Sequence, residues 1–123
     1  MAKDVTTYLK ANGASLSFSN TKNGPYEPVG EQTVTATGIA GNKIIWQCEE
    51  GIDAITAITM TGDKKVISKK GVNPVDGNPK CWAGKVKNKA KKGDQDKYDI
   101  SWTDTSGNAH TLDPYVDGDG GDG

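Results

Sequence analysis

Apolar and polar residues alternate along most of this chain with a period of two. The clearest example is the segment 43–48, in which Ile44, Trp46 and Cys48 fall on one face. Successive side chains of a β-strand point to opposite faces, so this pattern predicts a half-buried strand. Related patterns, separated by turn residues, predict further strands at 15–19, 31–37, 52–60, 66–67, 81–87, 98–102 and 109–112.

The number and spacing of these segments indicate an all-β fold. About eight short strands at intervals of roughly 8 to 15 residues are typical of a sandwich. We expect an antiparallel Greek-key β-sandwich, cupredoxin-like or immunoglobulin-like, with about seven to nine strands. The residues expected in its core are Trp46, Ile58, Val86, Tyr98, Ile100 and Trp102.

One domain accounts for the chain length of 123 residues. We place this domain at 1–116, with only a short turn or helix around Val5 to Lys10 expected within residues 1–14. Two prolines and two glycines within 71–80 predict an irregular connection there. Residues 117–123 contain only Asp and Gly, so they are expected to form a disordered tail.

Composition supports strands over helices and argues against some functions. Apolar residues make up 33% of the chain and 16 residues are glycine, which favours many short elements. The net charge is -1 and every basic residue is lysine. Without the planar fork of arginine, specific nucleic-acid recognition is not expected.

The sequence as given predicts a cytoplasmic protein with no membrane span. No apolar run approaches the length of roughly 20 residues that a transmembrane helix needs, and the first residues do not resemble a signal peptide. In that compartment Cys48 and Cys81 are expected to be reduced, buried thiols. A disulfide between them is the alternative if the protein is exported.

Several residues together resemble small bacterial proteins with a cupredoxin-like β-sandwich. They are the aromatic strand 43–48, the Gly- and Pro-rich middle connection, Ala90, Gly93, Lys97, Tyr98, Ile100 and Trp102, and a closing Gly107-Asn108-x-His110-x-x-Asp113-Pro114. The resemblance covers 43–116, about three fifths of the chain. Copper-bearing members bind the metal with a cysteine and two histidines, whereas this chain has one histidine. The resemblance therefore implies a sandwich with no copper site and no cofactor, and it assigns no functional residue.

Lysines recur in alternation at Lys85, Lys87 and Lys89. They could form a basic surface that binds a polyanion. The simpler interpretation, which we favour from the sequence, is that they protect an edge strand against pairing with other copies. Asp94, Asp96 and Asp99 follow closely and reduce the local positive charge.

Other candidate sites are weaker. Asp113, Asp117 and Asp119 are closely spaced oxygen donors for calcium, but an EF-hand also needs a glutamate at its twelfth position. Exposed aromatic residues could form a platform for sugar rings, and Tyr26, Trp82 and Tyr115 are the candidates for such ligand binding.

The sequence lacks a recognisable catalytic centre. His110, with Asp104 and Asp113 nearby in sequence, could form an acid-base pair, or act with Cys48 or Cys81. A lone histidine in a hairpin is more often structural. We therefore expect a non-enzymatic binding or interaction module, whose partner is an unknown protein or carbohydrate. A carbohydrate-binding module and a structural subunit of a larger assembly are the alternatives.

Overall fold

The computed structural model describes residues 4–30, 33–62 and 65–119 and places them in eleven strands. The strands are β1 (Val5–Asn12), β2 (Ser15–Ser19), β3 (Glu27–Pro28), β4 (Val34–Ile39), β5 (Lys43–Cys48), β6 (Ile52–Met60), β7 (Ile67–Val75), β8 (Asn78–Val86), β9 (Gln95–Asp104), β10 (Ala109–Leu112) and β11 (Tyr115–Asp119). Within the described ranges, no helix is long and apolar enough to cross a membrane.

The strands form two sheets, which confirms the predicted all-β sandwich. The first sheet has the order β3-β2-β1-β5-β8-β7, and the second has the order β10-β9-β11-β4, with β6 paired to β9. Two pairs are parallel, β1 with β5 and β11 with β4, so the sheets are mixed. The other strand pairs are antiparallel, as expected, and the described ranges contain eleven strands where about seven to nine were expected.

The core lies between the sheets, and all six predicted core residues are buried there. Trp46 of β5 and Tyr98 of β9 join the sheets, with ring centroids 5.6 Å apart in an edge-to-face arrangement. Trp46 Nε1 donates a hydrogen bond to the Tyr98 hydroxyl at 3.1 Å, and that hydroxyl also bonds to Thr35 Oγ1 at 2.6 Å. Burial raises the pKa of Tyr98 to about 12, so the phenol is neutral at physiological pH.

Two β-bulges change the face pattern of β6. The sequence predicts strict alternation, with Ala54 and Ile58 on the face opposite Ile55. In the structure the register against β9 shifts between Ile52 and Ala54 and again between Ile55 and Ala57. Each shift adds one residue that has no partner, so Ile52, Ile55 and Ile58 all point into the core. The strand was predicted correctly, but its faces were not.

Residues 71–80 form a β-hairpin instead of the predicted irregular connection. β7 and β8 pair directly and are joined by Asp76 and Gly77, whose φ angles are 53° and 75°. Two positive φ angles at an Asp-Gly pair are typical of a tight hairpin turn. Pro74 is tolerated because β7 is an edge strand. The sequence also predicts a hairpin-type turn at 61–63, and its last residue, Asp63, lies outside the described residues.

Both ends of the described chain are strands, which corrects two further expectations. Residues 5–12 form β1 in the middle of the first sheet, where a short turn or helix was expected. Asp117 to Asp119 belong to β11, which lies between β9 and β4, so these residues are not part of a tail. Gly118 is buried, and a Cβ there would lie 3.3 Å from Val66 and 3.4 Å from Ala90. Residues 120–123 lie outside the described ranges.

Candidate binding surfaces

Three lysines lie together at one end of the outer face of the first sheet. Lys43 of β5 is the register partner of Lys85 of β8, and Lys87 directly follows Val86, the last residue of β8. We call these three residues the lysine face. Lys89, the other member of the predicted run, is exposed in the turn beyond β8.

The lysine face is not on a sheet edge. β8 lies between β5 and β7, and β5 lies between β1 and β8, so both strands are paired on both sides. Protection of an edge against pairing therefore does not explain Lys85, and that interpretation of the sequence was wrong. Lys43 was not singled out from the sequence, because only the register between β5 and β8 places it opposite Lys85.

In the part of the chain that the structure describes, no ion pair involves a lysine of the lysine face. Among the residues that the structure describes, the lysines in ion pairs are Lys10, with Glu50 at 3.8 Å, and Lys97, with Asp113 at 3.2 Å. Asp4 Oδ1 accepts a hydrogen bond from the backbone N–H of Lys43 at 2.9 Å. That contact involves the backbone of Lys43 and not its ammonium group.

The rest of the outer face of the first sheet is partly apolar. Ile45 pairs with Ala83, and Gln47 pairs with Cys81, all with side chains pointing away from the core residues Trp46 and Trp82. These outer residues are half-buried. The lysine face thus borders a flat area of low charge, as a polar rim borders the centre of many protein interfaces.

His110 and Asp104 form a hydrogen-bonded pair across the β9–β10 hairpin. The carboxylate Oδ2 of Asp104 accepts a hydrogen bond from His110 Nε2 at 2.7 Å, and Oδ1 accepts backbone N–H bonds from Ser106 and Asn108. The bond from His110 is the main reason that the pKa of Asp104 lies below its usual range. His110 also lies against the Trp102 ring, with centroids 5.3 Å apart. These contacts stabilise the turn between β9 and β10.

Asp104 is the one predicted partner of His110 that the structure brings to it, and the other predicted partners, Asp113 and the two cysteines, lie elsewhere. Asp113 pairs with Lys97, and within the described residues no hydrogen bond joins His110 to either cysteine. Cys48 points into the core, whereas Cys81 is half-buried on the outer face, so the two thiols are free and on opposite sides of the sheet. Cys81 is therefore less buried than predicted. Burial raises the pKa of Cys48 to about 12, which keeps it a neutral thiol.

The three aromatic ligand-binding candidates do not come together. Trp82 is only 8% exposed, and its Nε1 donates a hydrogen bond to the Pro79 carbonyl. Tyr26 precedes β3, four strands away from β8 in the first sheet, or roughly 19 Å at the usual strand spacing. The ammonium of Lys10 lies 4.4 Å from the Tyr26 ring centroid and covers that ring. Tyr115 belongs to the second sheet.

The calcium candidates are spread along β11 and the residues before it. Asp113 pairs with Lys97, Asp117 Oδ1 accepts a hydrogen bond from Gln95, and Asp119 ends the strand. In the described ranges, no group of three or more His, Cys, Asp or Glu residues could hold a metal ion.

A comparison with protein-family models gives no match, and a comparison with curated protein sequences gives none either.

Proposed function

We propose that this chain is a non-enzymatic interaction module that binds an acidic protein surface through the outer face of its first sheet. The observation that carries this proposal is the placement of Lys43 directly opposite Lys85 on two strands that are paired on both sides. Residues in this relationship have Cβ atoms only about 5 Å apart, and like charges there destabilise a sheet.

The unfavourable pair favours a binding role over a structural one. Opposite charges at such a position contribute roughly 0.2 to 1 kcal/mol to stability, and two lysines instead oppose folding. A carboxylate-bearing partner that lies across both ammonium groups would relieve this repulsion. Relief of the repulsion between the two lysines then contributes to the free energy of binding the partner.

The chemistry of the lysine face also favours protein over nucleic acid. The chain contains no arginine to read base edges, and its net charge of -1 provides no long-range attraction to a polyanion. The half-buried residues Ile45 and Ala83 next to the lysines give the surface an apolar part that a folded partner can cover.

An NMR titration of the labelled chain with an octaglutamate peptide tests the proposal. We expect amide shifts at Lys43, Lys85 and Ala83 that weaken as salt is raised, because exposed charges are screened. The double substitution Lys43→Gln/Lys85→Gln should remove these shifts. A matched control, Lys22→Gln/Lys91→Gln, changes the net charge equally and should retain them.

Two results would contradict the proposal. One is that the peptide causes equal amide shifts in both double variants, which would mean that its binding depends on the overall charge of the chain and not on the lysine face. The other is binding of heparin without binding of the peptide, which would indicate an anionic polysaccharide as the ligand.

The remaining expectations from the sequence have no comparable support. A carbohydrate platform could not include Trp82, because its side chain is buried. A role as a structural subunit, a cytoplasmic location and a Greek-key, cupredoxin-like arrangement of the strands stay predictions.

A further inference from the structure

A small cleft opens between the two sheets where the edge strands β6 and β7 face each other. Its volume is about 180 Å³. One wall is the end of β6 and the other is the first half of β7, and the lining residues used below are Ile58, Met60, Ser68, Lys69, Lys70 and Val72. It is separate from the lysine face, which lies on the outer side of the first sheet.

A large bulge in β7 shapes the second wall. The register with β8 passes from Ile67 opposite Val86 to Val72 opposite Gly84, so five steps along β7 match only two along β8. Gly71, with φ of 72°, provides the left-handed backbone on which the bulge returns to the strand. The extra residues include Ser68, Lys69 and Lys70, which therefore line the cleft instead of continuing the ladder.

The cleft has an apolar floor and polar groups at its rim. Ile58, Met60 and Val72 are each at most 9% exposed. The Oγ of Ser68 is buried and has no hydrogen-bond partner, which costs roughly 1 to 3 kcal/mol for a buried hydroxyl. Lys69 and Lys70 are exposed, and no described carboxylate lies within ion-pair distance of either ammonium group.

We infer that this cleft binds a small carboxylate that carries a short aliphatic body. The carboxylate would pair with the ammonium groups of the exposed Lys69 and Lys70 at the rim. The aliphatic body would cover Ile58, Met60 and Val72. A cavity of about 150 Å³ accommodates benzene, so the volume suits a ligand of about six to eight non-hydrogen atoms.

Hexanoate is the probe for this inference, with 1-hexanol as the neutral ligand of similar length. Amide shifts of the labelled chain should place hexanoate at Ile58, Ser68 and Gly71. For a ligand of this size we expect these shifts at hexanoate concentrations of about 10 mM. Hexanol should bind at least about fivefold more weakly, because it cannot pair with the lysines.

Substitutions separate this site from the proposed protein-binding face. Lys69→Gln/Lys70→Gln should weaken hexanoate binding about tenfold. Lys43→Gln/Lys85→Gln should leave hexanoate binding unchanged, so this inference can hold even if the proposed function fails. Amide spectra without ligand check that each variant is folded.

The inference is overturned if hexanoate causes no shifts at the cleft, if hexanol binds equally well, or if the hexanoate shifts persist undiminished in Lys69→Gln/Lys70→Gln.

Discussion

Lys43 and Lys85 lie opposite each other on neighbouring interior strands, so the first sheet carries a like-charge pair at a position where opposite charges would stabilise it. Protein surfaces usually avoid such pairs or place a carboxylate between them. Here the carboxylate of Asp4 accepts a hydrogen bond from the backbone N–H of Lys43. The arrangement is understandable if the sheet face is presented to an acidic partner.

Removing the Tyr98 hydroxyl should destabilise the fold. In Tyr98→Phe, Trp46 Nε1 and Thr35 Oγ1 both lose a partner in the core. Trp46 Nε1 is left unsatisfied, whereas Thr35 Oγ1 keeps its hydrogen bond to the Tyr115 carbonyl, so the free energy of unfolding should fall by about 1 to 3 kcal/mol, measured by urea denaturation. Tyr115→Phe, at a half-exposed tyrosine, is the control and should change it by less than about 0.5 kcal/mol. Equal effects of the two substitutions would show that the hydroxyl network is unimportant.

Substitution of Asp96 should lower the free energy of unfolding more than substitution of an exposed carboxylate. It is fully buried and accepts backbone N–H bonds from Lys65, Val66 and Ile67 at 2.6 to 2.9 Å. Asp96→Asn replaces one acceptor oxygen by an amide that faces a donor, so we expect a loss of about 3 kcal/mol in urea denaturation. Exposed Asp53→Asn is the matched control and should be near neutral. A near-neutral Asp96→Asn would contradict the three-bond arrangement.

Acid should weaken the β9–β10 hairpin through Asp104. The pKa of its carboxyl is lower in the folded chain than in the unfolded chain, because His110 donates a hydrogen bond to it. The stabilisation is therefore present above roughly pH 4 and is lost as the pH falls through the lower, folded pKa. Asp104→Asn should make the free energy of unfolding fall less steeply with acidification in this range. Parallel pH profiles of the two proteins would rule out this contribution.

The two cysteines should differ in reactivity. Cys81 is half-buried on the outer face, whereas Cys48 is buried and burial raises its pKa to about 12. A thiol reagent at neutral pH should therefore modify Cys81 in the folded protein, and Cys48 only after denaturation. Mass spectrometry of Cys81→Ser provides the control, since that variant should resist labelling. A disulfide between the two cysteines in the folded protein would contradict the structure.

The strands that could be predicted are those whose pattern lies within neighbouring residues of the sequence. Trp46 and Tyr98 were placed in the core by alternation alone, because the strands that carry them have regular faces. The hairpin at Asp76 and Gly77 also has a local signal, an Asp-Gly pair, but the nearby prolines obscured it.

Features that depend on distant pairing could not be predicted in this way. Periodicity cannot show that β6 has two bulges, because each bulge is defined by its partner β9. The Asp- and Gly-rich β11 has low strand propensity and is ordered by pairing with β4 and β9 on either side. The opposition of Lys43 and Lys85 likewise depends on a register between strands that are separated by the whole of β6 and β7.

The most direct test of the proposed function measures two properties of one variant, Lys85→Glu. It replaces the like-charge pair by an opposite-charge pair with Lys43, so the free energy of unfolding should rise by roughly 0.2 to 1 kcal/mol. In the same variant the affinity for the acidic peptide should fall, because one of the ammonium groups at the contact has become a carboxylate. A variant that is less stable than the natural chain, or that binds the peptide as well as the natural chain does, would contradict the account.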